Sequence, residues 1–157
     1  MTTIGIDPGL SGAVAWLDSY GCLIDLADMP ALDGFVSAQL LADILADADG
    51  NADVDMVAIE HVASMPKQGV ASTFKFGCAF GVALGVVGGM QLPTHMVRPA
   101  KWKKDMGLSA DKERSRRLAI ERWPDHRDKF KLKKHDGRAE AALLALWWQE
   151  RGERSAA

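Results

Sequence analysis

At 157 residues, 48% hydrophobic and 25% charged, with a net charge of −2 and two cysteines, the chain can close a core that buries about 68–70% of its unfolded surface. Disulfides and a structural metal are not needed to hold such a chain together. Cys22 and Cys78 lie in apolar stretches and the N-terminus lacks a basic region followed by a long apolar core, so the expectation is a cytoplasmic protein with reduced thiols and no membrane association.

The small net charge conceals strong segregation. Residues 1–97 hold 2 basic and 11 acidic side chains, a net of −9, whereas residues 98–138 hold 15 basic and 7 acidic, a net of +8. A basic surface of that size within one domain suits a polyanion.

The first elements in chain order are three strands, over residues 2–6, 12–17 and 22–27, separated by turns at Pro8-Gly9 and 18–21. They predict an antiparallel meander. Asp7 ends the first strand just before a proline that fixes φ and a glycine that permits reversal, so its carboxylate sits on a rigid element at an open sheet edge. The spacing of Phe35, Leu40, Leu41, Ile44 and Leu45 predicts an amphipathic helix over 35–46, capped by Asp33 and ended by 49–51. A buried strand over 54–59 then ends in a second carboxylate, Glu60.

Residues 76–92 carry no charge, but glycines interrupt them and they stop short of the ~20 residues of a bilayer span, which favours a buried helix followed by a strand. Gly77, Gly81 and Gly85 recur every fourth residue of the helix predicted over 72–88. They form a face where another backbone can approach, either the sheet or a second subunit. A strand over 92–97 leads to a short basic helix from Pro99. Ser109, Asp111 and Glu113 then supply the cap and first-turn acids of a helix reaching Trp123. Residues 124–134 read as a charged loop, and 136–149 as a last helix with Ala142, Leu143, Leu146 and Trp147 on its apolar stripe.

Asp136 and Glu140 are four apart on that helix and project from one side of its start. Acids at a helix N-terminus also serve the helix dipole, yet Glu140 opens an almost wholly apolar run. If this helix packs over the sheet edge, Asp7, Glu60, Asp136 and Glu140 converge as hard oxygen ligands, a set suited to Mg²⁺ or Mn²⁺. Two ions ~4 Å apart would suit in-line attack on phosphorus. No Walker loop, nucleophile elbow or zinc-spaced Cys/His set competes. Of the four histidines, only His135 adjoins these acids.

Five segments now resemble, in order, the RuvC family of Holliday-junction resolvases in the ribonuclease H-like superfamily, especially its phage-type members. They are Ile4-Gly5-Ile6-Asp7-Pro8-Gly9, Ile59-Glu60-His61-Val62, Ser72 to Gly77 with Gly81-Val82-Ala83, Ser109-Ala110-Asp111-Lys112, and His135 to Ala141. The resemblance implies an α/β ribonuclease H-like fold, a mixed five-stranded sheet flanked by helices, in one nuclease domain over residues 1–157. It implies a homodimeric Mg²⁺-dependent endonuclease with two ions per site that nicks two strands of a four-way DNA junction. Asp7, Glu60 and Glu140 match metal ligands, Lys112 matches a basic residue near DNA, and the glycine-bearing helix matches the dimer interface. One departure stands out: the position three before the last acid, usually a ligand, is Gly137, leaving Asp136 or His135 to serve.

Lys101, Lys103, Lys104, Lys112, Arg114, Arg116 and Arg117 are candidate phosphate contacts, with Lys75 nearby in the family match; such contacts supply salt-sensitive affinity without base information. The loop after Glu60, with Met65, Lys67 and Gln68, matches the family's junction-probing loop, and Met65 is a candidate apolar wedge. Trp102 either stacks on a base or anchors its helix in the core, and the anchor is favoured by its large apolar area. Rival readings are a sugar-kinase or actin-like ATPase, for which the chain is too short to supply two lobes, a junction-binding protein that does not cut, and a branch-specific nuclease that also cuts forks and flaps.

Overall fold

The computed structural model describes residues 2–47, 54–61 and 69–152. β1 (Thr2–Asp7), β2 (Ala13–Asp18) and β3 (Leu23–Asp28) form the expected antiparallel meander. β6 (Val54–Glu60) and β7 (Thr94–Val97) add to β1 in parallel, giving a mixed sheet of order β3-β2-β1-β6-β7.

Helices cover both faces, and the strand residues explain which helix goes where. Successive side chains of a strand point to opposite faces. Ile4, Ile6, Val14, Trp16, Val57 and Ile59 therefore form one apolar surface, against which α1 (Ala38–Asp47) sets Leu41 and Leu45, and α2 (Val70–Gly89) sets Ala79, Ala83 and Val87. The opposite face carries Gly5, Ala13, Ala15 and Ala58, and these small residues let α6 (Asp136–Trp147) lie directly across β1 and β2. A Cβ on Gly5 would collide with the Ala141 carbonyl oxygen and stand 2.9 Å from the Ala145 nitrogen. α3 (Pro99–Asp105), α4 (Lys112–Arg122) and the short α5 (Arg127–Phe130) flank α6. As expected, Asp111 caps α4, accepting the Glu113 N–H at 2.9 Å.

Three expectations need correction. The helix predicted from Phe35 begins only at Ala38, because Asp33 and Gly34 both have positive φ (52° and 78°) and turn a small hairpin, β4 (Ala31–Leu32) with β5 (Phe35–Val36). An Asp-Gly pair is a strong signal for such a turn; the cap is instead Ser37, whose Oγ accepts the Leu40 N–H at 3.3 Å. The segment read as a charged loop winds into short helical turns, Pro124–His126, α5 and Lys133–His135, with Phe130 fully buried as their anchor.

The third is the buried helix expected within residues 76–92, since α2 buries only Ala79, Ala83 and Val87. It runs 20 residues, Val70–Gly89, and among the described residues it alone has the length and apolarity of a membrane span. Gly77, Gly81 and Gly85 do not face the sheet: they are exposed, and a Cβ at any of them would meet nothing within 4 Å. Val70 and Phe74 are exposed as well, at 87% and 64%. The expected chain reversal at 49–51 lies outside the described residues.

Candidate functional site

β1 and β6 run parallel, with Ile6 opposite Ile59, so the next residue on each strand, Asp7 and Glu60, ends its strand at the same sheet edge. α6 crosses this edge and brings Glu140, 6% exposed, to the pair. Asp7 and Glu60 both register the neighbouring acids. Burial, then the Glu140 charge, pushes the Asp7 carboxyl up to about 6, against the Gly9 N–H, Lys112 and Lys103. Burial, then the Asp7 charge, pushes Glu60 up to about 7; Glu140 adds to this, while Lys103 and Trp102 oppose it. Crowded, desolvated carboxylates disfavour ionisation unless a cation compensates them.

Protein groups hold the acids in place. Lys103 Nζ donates to Glu140 Oε1 at 2.8 Å, and both side chains are largely buried. The Trp102 indole N–H donates to Glu60 Oε2 at 3.0 Å. The Gly9 N–H donates to Asp7 Oδ1 at 3.4 Å, closing the turn after β1. Trp102 is fully buried, which settles its role as an anchor rather than an open stacking platform.

Asp136 is set differently. Arg116 Nε lies 2.8 Å from its Oδ1 in a charge contact that lacks hydrogen-bond alignment, and both side chains are mostly buried. Its neighbour His135 is buried, its Nδ1 accepting the Leu132 N–H at 3.4 Å, and burial, with Arg138 and Lys134 behind it, lowers its pKa. The structure thus groups Asp7, Glu60 and Glu140 electrostatically and turns Asp136 toward α4. Among the described residues no three Asp, Glu, His or Cys side chains are oriented closely enough to chelate an ion. Their chemistry nonetheless fits a hard divalent cation, since three mutually repelling, desolvated carboxylates meet at one strand edge.

The basic candidates are spread over α2, α3 and α4, and of them Lys103 and Lys112 act on the acids. Lys112 opens α4 exposed and close enough to Asp7 to lower its pKa. Lys104 is exposed on α3; Lys101 pairs with Asp105 at 3.4 Å and lies over the Trp147 ring. Arg114 donates to the Gly107 carbonyl at 3.0 Å, and Arg117 pairs with Glu113 at 2.6 Å. Lys75 Nζ lies 5.8 Å from the Phe35 ring on the small hairpin. Met65, Lys67 and Gln68 lie outside the described residues.

Sequence reading missed Arg138. Its guanidinium grips both oxygens of Asp28 at 2.6 and 2.7 Å and holds that carboxyl below the usual range, tying the start of α6 to the end of β3. A partner 110 positions away leaves no local signal.

An α/β domain whose mixed five-stranded sheet carries acids at one strand edge has the ribonuclease H-like architecture. Solved structures of the RuvC type share this fold. Thermus thermophilus RuvC in complex with a Holliday junction substrate matches with a TM-score of 0.69 at 15% identity, over 97% of each chain. A second T. thermophilus RuvC structure gives 0.64 at 17% identity, again over 97% of each chain. The fowlpox virus Holliday junction resolvase gives 0.55 at 17%, over 96% of this chain and 98% of the other. No family model and no curated protein matches the sequence.

Proposed function

We propose that this chain is a cytoplasmic, metal-dependent endonuclease that resolves four-way DNA junctions, acting as a single nuclease domain over residues 1–157 within a homodimer. The observation that carries the reading is the meeting of Asp7, Glu60 and Glu140 at one strand edge, where burial and the neighbouring acids disfavour the anionic forms of Asp7 and Glu60. Structural stability alone would not favour that arrangement. It occurs on a fold shared with resolvases, one of them in complex with junction DNA.

Asp7, Glu60 and Glu140 would hold the metal, with Asp136 as the fourth acid. The chemistry supplied there by two bound Mg²⁺ ions, or Mn²⁺ in their place, would be activation of a water at neutral pH and stabilisation of the leaving oxygen. The protein's own groups do the rest. Lys103 and Arg116 neutralise Glu140 and Asp136 in the absence of DNA, and both are of the sign to turn to phosphate when a strand arrives. Lys112, at the N-terminus of α4 beside Asp7, is placed to orient the scissile phosphate. Exposed Lys101, Lys104, Arg114 and Arg117 extend the cationic surface along the duplex arms, and Met65, Lys67 and Gln68 are the proposed probe of the junction centre. A second copy packed on the glycine face of α2 would cover its exposed apolar residues and set two sites against two strands.

The test compares an immobile four-way junction with a Y-fork, a flap and a linear duplex, each with Mg²⁺ and with Mn²⁺. Paired symmetric nicks confined to the junction are expected. Equal cutting of forks and flaps would replace this reading with a general branch nuclease, and tight junction binding without cutting in either metal would replace it with a binding protein.

A further inference from the structure

Trp102 and Glu60 come from different elements, and the topology explains why they meet. Glu60 pairs in register with Val97, the last residue of β7, and the His61 N–H donates to the Val97 carbonyl at 2.8 Å. Pro99, inside the first turn, starts α3 two residues later. One turn on, Trp102 is carried back over the end of β6. Its ring is 0% exposed and belongs to the cluster formed by α6, α4 and α5, with Lys103 Nζ 5.2 Å from the ring centre. The indole is therefore held on all sides, and its single donor points at Glu60 Oε2 at 3.0 Å.

An indole N–H is a donor only, with neither a lone pair for a metal nor an ionisation near neutral pH. Lys103 on Glu140 competes with an incoming cation, but Trp102 on Glu60 does not. A terminal carboxylate torsion is otherwise broad, so a rigid donor on one oxygen presents the other in one orientation. Glu60 Oε1 has no hydrogen-bond partner among the described residues.

We propose that Trp102 is a positioning residue of the site: its N–H fixes the Glu60 carboxylate through Oε2 so that Oε1 is presented to a divalent cation before DNA binds. This rests on the assignment of Glu60 as a metal ligand. Partners that orient a ligating group in this way typically govern metal affinity by about 10–100-fold.

The experiment titrates Mn²⁺ by calorimetry into the DNA-free protein, its Trp102→Phe variant and its Glu60→Gln variant. Phenylalanine keeps a buried ring and removes the donor. The Trp102→Phe variant should bind Mn²⁺ at least about tenfold more weakly. Its half-saturating Mn²⁺ concentration for junction nicking should rise in step. Its rate at saturating Mn²⁺ should approach that of the unsubstituted protein, and its junction affinity in chelator should not change. Should the variant fold poorly, site-specific replacement of Trp102 by 3-benzothienylalanine, an isostere with sulfur in place of N–H, must give the same loss. Unaltered Mn²⁺ affinity in either substitution, with Glu60→Gln inactive, overturns the Trp102 proposal alone. Full Mn²⁺ binding and nicking by Glu60→Gln overturns the metal assignment and this inference with it.

Discussion

Gly137 on α6 rests against the backbone of Ser11: a Cβ there would collide with the Ser11 carbonyl oxygen and stand 2.7 Å from Gly12 Cα. The start of the acid-bearing helix is thereby pressed onto the turn that follows Asp7. The position three before Glu140 accordingly has no room for a ligand side chain. Gly137→Ala should destabilise the protein toward the upper end of the usual overpacking range, about 1–3 kcal/mol, in chemical denaturation. It should also slow nicking, because relieving the clash moves Glu140 relative to Asp7.

Asp7→Asn tests the acid cluster twice. Nicking should fall to background while junction binding in chelator is retained. The stability effect has a defined pH window. Because burial and Glu140 raise the folded-state pKa from 3.8 to about 6, the native state binds more protons than the unfolded one between those values. Metal-free stability therefore falls as pH rises through that interval. The Asn variant should be more stable at pH 8 by up to about 3 kcal/mol, a gain that vanishes near pH 4. Thermal melts in chelator at both pH values measure it, and an unchanged difference between them would contradict the cluster.

Lys103→Met removes the partner of a largely buried carboxylate while keeping much of the aliphatic bulk. Leaving Glu140 uncompensated should cost about 3 kcal/mol in chelator, the lower end for a broken buried pair. Saturating Mn²⁺ should restore more stability to this variant than to the unsubstituted protein, since the ion replaces the missing charge. Equal Mn²⁺ stabilisation of both would contradict competition between Lys103 and metal.

Lys104 and Lys112 are exposed and form no salt bridge among the described residues, unlike Arg116, which is committed to Asp136. Reversing either lysine to glutamate should weaken junction binding and lower the slope of log affinity against log salt by about 1. Fluorescence anisotropy from 50 to 200 mM salt measures this. An unaltered slope would locate the DNA on another surface.

Gly81→Phe separates a dimer face from a packing face, because a Cβ at Gly81 meets nothing within the protomer. The variant should melt like the unsubstituted protein and sediment as a monomer. An unchanged dimer would exclude α2 from the interface.

Local chemistry made much of this protein legible. Strand endings at Asp7 and Glu60, the Asp111 cap and the helix carrying Glu140 follow from turn residues, side-chain alternation and capping, all of which act over a few positions. Two errors were also local: Asp33-Gly34 is a hairpin turn rather than a cap, and the charged segment before His135 is pinned by the lone aromatic Phe130 into helical turns. Among the site residues, Asp7, Glu60 and Glu140 were identifiable as acids at element ends, but their partners were not.

By itself the sequence determined which carboxylates end rigid elements and where the positive charge gathers. Only the tertiary structure decided that Trp102 holds Glu60, Lys103 holds Glu140, Arg116 holds Asp136 and Arg138 holds Asp28. The physical reason is that such pairs join residues from 20 to 110 positions apart. Their distance is fixed by the packing of α6 and α3 against the sheet, and no short-range pattern encodes it.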